Sequence, residues 1–297
     1  MFFLSFYHIF IKKKDLFSQK PDCFPLISSF FYCNCQLICA IIKNDVLCKE
    51  GGDPLVDIHC HILPEFDDGA SGPDEAVAMA HMAADSGVTA IVATPHFPGK
   101  SASLHRMGAL MDRYRWLRRT IREQGLPLEL YPGAEILCLP ETPELAQEGL
   151  LPTIGSSSSL LTEFFFDEPF SRMDSTLDAI AGCGYLPVIA HPERYHAIQE
   201  DPNLLRCWYE KGFALQLNKG SLLGSFGPGP EETALTALRA GLAHIIASDA
   251  HSARRRTPHM IQLQMWLENN CDPDYARILL TENPSRLISG LELISAL

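Results

Sequence analysis

Histidines and carboxylates spaced like metal ligands open the case for what this sequence does. Asp57-Ile58-His59-Cys60-His61 is the first group. Side chains alternate along an extended chain, so His59 and His61 lie on one side and can bind one ion together. Asp249-Ala250-His251 repeats that spacing near the other end of the sequence. Between them stand His96 after Thr94-Pro95, Glu135 after Gly133-Ala134, Glu163, and His191 at the head of His191-Pro192-Glu193-Arg194. Mixed imidazole and carboxylate donors suit zinc, manganese or iron rather than calcium. A carboxylate such as Glu135 can bridge two ions, so a cluster of two or three metals is expected.

The elements that carry these residues are short apolar runs at 55–59, 90–94, 128–135, 159–165, 186–190, 214–218 and 244–248. Amphipathic stretches separate them, at 73–86, 104–123, 143–148, 172–183, 202–211 and 231–240. Glycines 87, 125, 212 and 241 follow helix ends, where a left-handed residue is cheap. Strand–helix alternation with short buried strands predicts parallel pairing in an α/β fold. Seven units predict a closed, slightly irregular (β/α) barrel, with an open doubly wound sheet as the alternative. No G-x-G-x-x-G follows the first run, so a dinucleotide fold has little support. Every predicted strand ends on a metal-capable or polar residue, Asn218 included, at the carboxyl end where barrel enzymes place their chemistry. One buried histidine is ordinarily a hydrogen-bonded core residue, Glu163 alone could cap a helix, and Asp68 alone could close the Asp67-Asp68-Gly69 turn. Core residues have no reason to gather at one end of all the strands.

The 297 residues suit one such barrel, and 46% apolar residues supply its core. A net charge of −12 argues against nucleic acid, which needs a basic face, but not against a phosphorylated substrate held through cations. Of ten cysteines, five crowd the first fifty residues and the others stand singly, without a C-x-x-C framework. The later ones read as small buried thiols in a reducing compartment, which places the chain in the cytoplasm. Residues 1–51 differ from the rest: rich in Phe, Ile and Cys, with Lys12-Lys13-Lys14 and the uncharged stretch 24–42. That stretch is long enough to cross a bilayer but is broken by Pro25, Ser28, Ser29, Asn34 and Gln36. We read 1–51 as an atypical extension or sequence upstream of the true start, in preference to a membrane anchor, and 52–297 as the globular domain.

Cys271-Asp-Pro-Asp-Tyr-Ala-Arg277 fits the Cys-x5-Arg of thiol phosphatases only formally. Asp272 and Asp274 would repel phosphate and Pro273 lacks an amide donor, so a surface turn entering a helix is expected. Neither a G-x-x-x-x-G-K-[ST] loop nor a G-x-S-x-G elbow is present.

Asp57-Ile-His-Cys-His-Ile-Leu-Pro, Asp67-Asp-Gly-Ala, Thr94-Pro-His, Gly133-Ala-Glu-Ile, Ile189-Ala-His-Pro-Glu-Arg-Tyr195 and Ser248-Asp-Ala-His-Ser252 together resemble the PHP (polymerase and histidinol phosphatase) superfamily. Within it they resemble the bacterial manganese-dependent protein-tyrosine phosphatases of capsule and exopolysaccharide synthesis. The likeness runs over about 53–287 and leaves out the first fifty residues. It implies a distorted seven-unit (β/α) barrel of the PHP type and up to three divalent metals, Mn2+ foremost with Fe or Zn as alternatives. By the same likeness His59, His61, Glu135 and Asp249 would hold the first metal. Glu135, Glu163 and His191 would hold the second, and Asp68, His96 and His251 the third, with Asp67 as the alternative to Asp68. Arg194 and Arg256 would bind the phosphoryl group, Arg256 being the choice among Arg254-Arg255-Arg256.

The implied reaction is hydrolysis of phosphotyrosine on a protein, an autophosphorylating bacterial tyrosine kinase being the family's expected partner. Membrane association would come only through the N-terminal extension or that partner. A rival on the same fold is a small-molecule phosphatase of the histidinol-phosphate type. Metal-dependent amidohydrolases also begin with His-x-His but usually take a lysine ligand from a middle strand, where this chain has Glu163. A non-catalytic metal-binding regulatory module is the rival of another class.

Overall fold

The computed structural model describes residues 53–295. The N-terminal extension and its stretch 24–42 lie outside the described residues. Among the described residues no helix is long and apolar enough to cross a membrane.

Short apolar runs without alternation form strands buried on both faces. They are β1 (Leu55–Cys60), β2 (Val88–Ala93), β3 (His96–Pro98), β4 (Glu129–Pro132), β5 (Glu135–Leu137), β6 (Ser159–Glu163), β7 (Leu186–Ala190), β8 (Ala214–Asn218) and β9 (Ile245–Ala247). All their pairings are parallel, in a three-stranded sheet ordered β1-β2-β4 and a six-stranded sheet ordered β3-β5-β6-β7-β8-β9. The described residues thus hold nine strands where seven runs were expected. Thr94-Pro95 separates β2 from β3, since proline has no N–H for the ladder. The expected run at 128–135 is likewise interrupted, at Gly133-Ala134, between β4 and β5. Gly133 passes so close to β2 that a Cβ there would lie 2.7 Å from Val92 Cγ1.

Expected helices shift at their ends. The one expected at 104–123 begins as a 3-10 turn, Ser101–Arg106, and becomes α-helical at Met107–Glu123. Leu110, Tyr114, Leu117 and Ile121 give that helix one buried face at helical spacing. Each buried side chain of this size contributes about 1.5–3 kcal/mol. The stretch expected at 231–240 starts earlier, at Pro228, because proline is at ease in a first helical turn.

One apolar cluster lies between strands and helices. A second gathers Val56, Ile58, Val92, Leu161, Val188, Ala190, Ala214, Ile245 and Ala247 from the strands, with Leu287 and Ile288 from the helix Asn283–Ile288. The first strand also meets the last: Asp249 N donates to His59 O (2.9 Å) and His61 N to Ala250 O (2.8 Å). The carboxyl ends of the strands therefore converge on one rim.

Candidate metal centre

Asp57 anchors this rim from beneath. It is fully buried, and its carboxylate accepts from Ser248 N (3.0 Å) and from the Ser248 hydroxyl, tying β1 to the end of β9. Burial pushes its carboxyl up, and the Ser248 hydrogen bonds work against that.

His59 and His61 do project together, with their Nε2 atoms 3.2 Å apart. His59 Nδ1 lies 2.8 Å from Gln216 Oε1, and the Gln216 amide is oriented by its own Nε2 donating to Leu217 O at 2.7 Å. His61 Nδ1 lies 2.8 Å from Asp67 Oδ2. An acceptor at each Nδ1 assigns the proton there and leaves both Nε2 lone pairs aimed at the same space. Glu135 lies beside them, with Oε1 3.2 Å from His59 Nε2 and Oε2 3.2 Å from His61 Nε2. Glu135 Oε2 is buried and makes no hydrogen bond. Converging lone pairs around a buried carboxylate oxygen fit a cation, and the donor set is that of a transition metal.

The other candidates complete four overlapping groups: His59–Glu135–His191, His59–His61–Asp249, His96–Glu135–Glu163 and His61–Asp68–His96–His251. All nine expected ligands are therefore brought together. The groups overlap, so each is a set of neighbouring donors and not the shell of one ion. His61 joins the Asp68 group, and His96 straddles two groups, its Nδ1 3.0 Å from Glu135 Oε2 and its Nε2 3.4 Å from Asp68 Oδ1. The two aspartates differ in what they face. Asp67 is occupied by His61 Nδ1, His96 N (2.7 Å) and Gly69 N (3.0 Å), whereas Asp68 Oδ1 faces His96 and His251. Only glycine allows this turn, because a Cβ on Gly69 would sit 2.1 Å from His61 O.

Asp249 divides its two oxygens. Oδ1 faces His59 (3.5 Å) and His61 (3.6 Å), while Oδ2 accepts from Asn218 Nδ2, Arg194 Nη1 (3.5 Å) and Arg256 Nη2. Of the three consecutive arginines, Arg256 is the one that turns inward; Arg254 and Arg255 are exposed. Glu193, the neighbour of Arg194, is buried and accepts instead from Asn218 N (2.9 Å) and Ser221 Oγ (2.7 Å). His191, Asp249 and Arg256 all have left-handed backbones, with φ of 37°, 51° and 49°. Such conformations cost about 1–3 kcal/mol each and collect at functional sites.

Charges are tightly matched. Burial pulls the His59 imidazole down, but Glu135 and Asp249 outweigh it and lift it to about 9. His96 is raised against burial by Glu135 and Glu163, to about 11. Burial opposes ionisation of Glu135 and Asp249, yet His59 and its neighbours hold both carboxyls low. His251 moves the other way: burial and the nearby His61 bring it to about 4. Protons and divalent cations compete for these same donors.

Sequence reasoning passed over Gln216 and the role of Asp67. A signal for the first was present, a polar residue inside the apolar run Ala214-Leu-Gln-Leu-Asn218. The Cys271 segment holds no phosphate cradle. Asp272 caps the helix Pro273–Arg277 by accepting from Asp274 N and Tyr275 N, and burial raises the Cys271 thiol.

A family model for capsular polysaccharide synthesis, CpsB/CapC, matches residues 55–289. The chain is 35% identical over 235 residues to the tyrosine-protein phosphatase YwqE of Bacillus subtilis, covering 79% of this chain and 91% of that one. It is 28% identical over 239 residues to the tyrosine-protein phosphatase CpsB of Streptococcus pneumoniae, covering 79% and 98%. A crystal structure from work on YwqE and CpsB as metal-dependent tyrosine phosphatases superposes with a TM-score of 0.73 at 32% identity, covering 81% of this chain and 97% of that one. With the motifs, the rim and these likenesses in agreement, the chain belongs to the CpsB/CapC family of capsular polysaccharide synthesis.

Proposed function

We propose that this chain is a metal-dependent protein-tyrosine phosphatase. The observation that carries the reading is the shared carboxylate of Asp249, one oxygen on the imidazole cluster and the other on Arg194 and Arg256. A phosphoryl group placed there meets both. His59, His61, Asp68, His96, Glu135, Glu163, His191, Asp249 and His251 would hold up to three divalent metals, with Mn2+ the proposed resident. Bound cations would supply Lewis-acid activation of water and neutralise phosphoryl charge. Arg194 and Arg256 orient the phosphoryl oxygens and stabilise charge as it spreads onto them. Asn218 holds Asp249 in place, and Gln216 and Asp67 fix the ring tautomers of His59 and His61. A phenolate leaves with little protonation, so tyrosine esters require no dedicated general acid.

The finer fold reading is a distorted seven-unit barrel. Support comes from the interrupted strands, β2 with β3 and β4 with β5, and from the parallel bridge between Cys60 and Ala250. Residues 52–297 are taken as the phosphatase domain; a chain starting at Gly52 should keep full turnover, and a dead product would show the extension to be structural. A cytoplasmic location is supported by the five cysteines of the described residues, all free thiols. The proposed substrate is a phosphotyrosine protein, foremost an autophosphorylating tyrosine kinase of polysaccharide synthesis. Turnover of a phosphotyrosine peptide with added Mn2+, abolished by a chelator, is the expected result. Preference for histidinol phosphate would overturn it in favour of a small-molecule phosphatase.

A further inference from the structure

We infer that Phe166 selects aryl over alkyl phosphate esters, an inference that rests on the phosphatase reading above. The cluster is recessed: His59, Glu135 and Asp249 are at most 1% exposed, whereas Phe166 at the lip is 36% exposed. The Arg194 guanidinium lies over two rings, its Cζ 4.4 Å from the centroid of Phe166 and 4.4 Å from that of Phe226. Phe226 is itself seated on Gly220, where a Cβ would lie 2.5 Å from its ring. Phe166 also meets the His191 ring edge-on, with centroids 6.1 Å apart. Its carbonyl accepts from His196 N at 2.8 Å. One aromatic ring thus touches a phosphate-orienting arginine and a candidate metal ligand while keeping a third of its surface open.

A lone exposed aromatic is ordinary on a protein surface. This one stands beside both Arg194 and His191. A phosphoryl group held between the imidazoles and the guanidinium groups must direct its ester oxygen away from the buried cluster, toward the lip. A phenyl ester then brings its ring against the open part of Phe166, in the stacked or edge-to-face contact that aromatic pairs prefer. A short alkyl ester leaves that surface bare.

The test uses the full-length, manganese-loaded enzyme and three competitive inhibitors: benzylphosphonate, butylphosphonate and inorganic phosphate. Phe166→Leu should weaken benzylphosphonate by about three- to tenfold, the scale of one aromatic pair. Butylphosphonate and phosphate should stay within about twofold. KM for a phosphotyrosine peptide should rise more than kcat falls, and Phe166→Tyr should restore the aromatic preference. If Phe166→Leu loses metal, Phe166→Met carries the same comparison. Equal weakening of all three inhibitors would show that the ring only orders Arg194, overturning the inference and leaving the phosphatase intact. Phe165, the exposed neighbour in the chain, is the control: loss of aryl preference in Phe165→Leu but not in Phe166→Leu would overturn it as well. A wild type inert toward phosphotyrosine peptide would overturn the phosphatase reading itself.

Discussion

Asp67→Asn is the substitution that most directly probes how this centre is built. Asp67 Oδ2 lies 2.8 Å from His61 Nδ1 and 2.7 Å from His96 N, and Oδ1 lies 3.0 Å from Gly69 N. Three donors therefore converge on one carboxylate, and they hold it at about 2 although burial pushes the other way. An asparagine keeps the shape but has one acceptor oxygen, so its NH2 must confront one of those N–H groups. With the NH2 at the Oδ2 position, His61 loses its tautomer or its orientation and His96 its backbone tether; with the NH2 at the Oδ1 position, the Gly69 N–H that closes the turn is left facing a donor. Loss of such a supporting partner typically lowers metal affinity or activity by about 10–100-fold. That corresponds to about 1.4–2.7 kcal/mol. The assay is a Mn2+ titration of phosphotyrosine-peptide turnover, with bound metal measured in parallel. The expected result is a right-shifted titration whose plateau approaches that of wild type. An unchanged titration midpoint with a collapsed plateau would refute the supporting role and place Asp67 at the phosphate.

Arg194→Ala and Arg256→Ala should each lower kcat by about a hundredfold or more, matching about 2.7–4 kcal/mol for a lost oxyanion donor. Their metal content should stay intact, whereas His59→Ala and Glu135→Ala should lose metal and turnover together. Lysine at either arginine should recover only part of the rate, because an ammonium cannot form the fork. Cys271→Ser should leave turnover unchanged, and a large fall would revive a thiolate mechanism. His244 offers a pH test away from the centre: burial lowers its imidazole from 6.5 to about 4, and its Nδ1 accepts from Leu215 N at 3.1 Å. The unfolded chain binds that proton more readily, so stability is intact above pH 6.5 and is lost as pH falls toward 4. His244→Asn, unfolded by denaturant with chelator present, should have a pH 7 to pH 4 stability loss smaller by about 3 kcal/mol. Equal losses in the two proteins would exclude His244 as the cause.

What the sequence alone determined follows from local rules. Period-two alternation put His59 and His61 on one side. Runs of apolar residues located the strands, and parallel pairing followed from their helical connections. The candidate ligands were legible because strand ends in such a fold share one rim. Tertiary structure decided what depends on distances between remote segments. Asp67 and Asp68 are neighbours of one type, and only the fold-back at Gly69 turns the first to His61 and the second to His96 and His251. Arg254, Arg255 and Arg256 are three identical residues in a row, and a left-handed backbone at Arg256 sends that one inward. Gln216 is an unremarked residue of β8 until His59, 157 positions away, lays its Nδ1 against it. The splitting of the run expected at 128–135 into β4 and β5 was also beyond local reading. It depends on how closely Gly133 passes Val92 in the neighbouring strand, a contact that exists only once the two strands are paired.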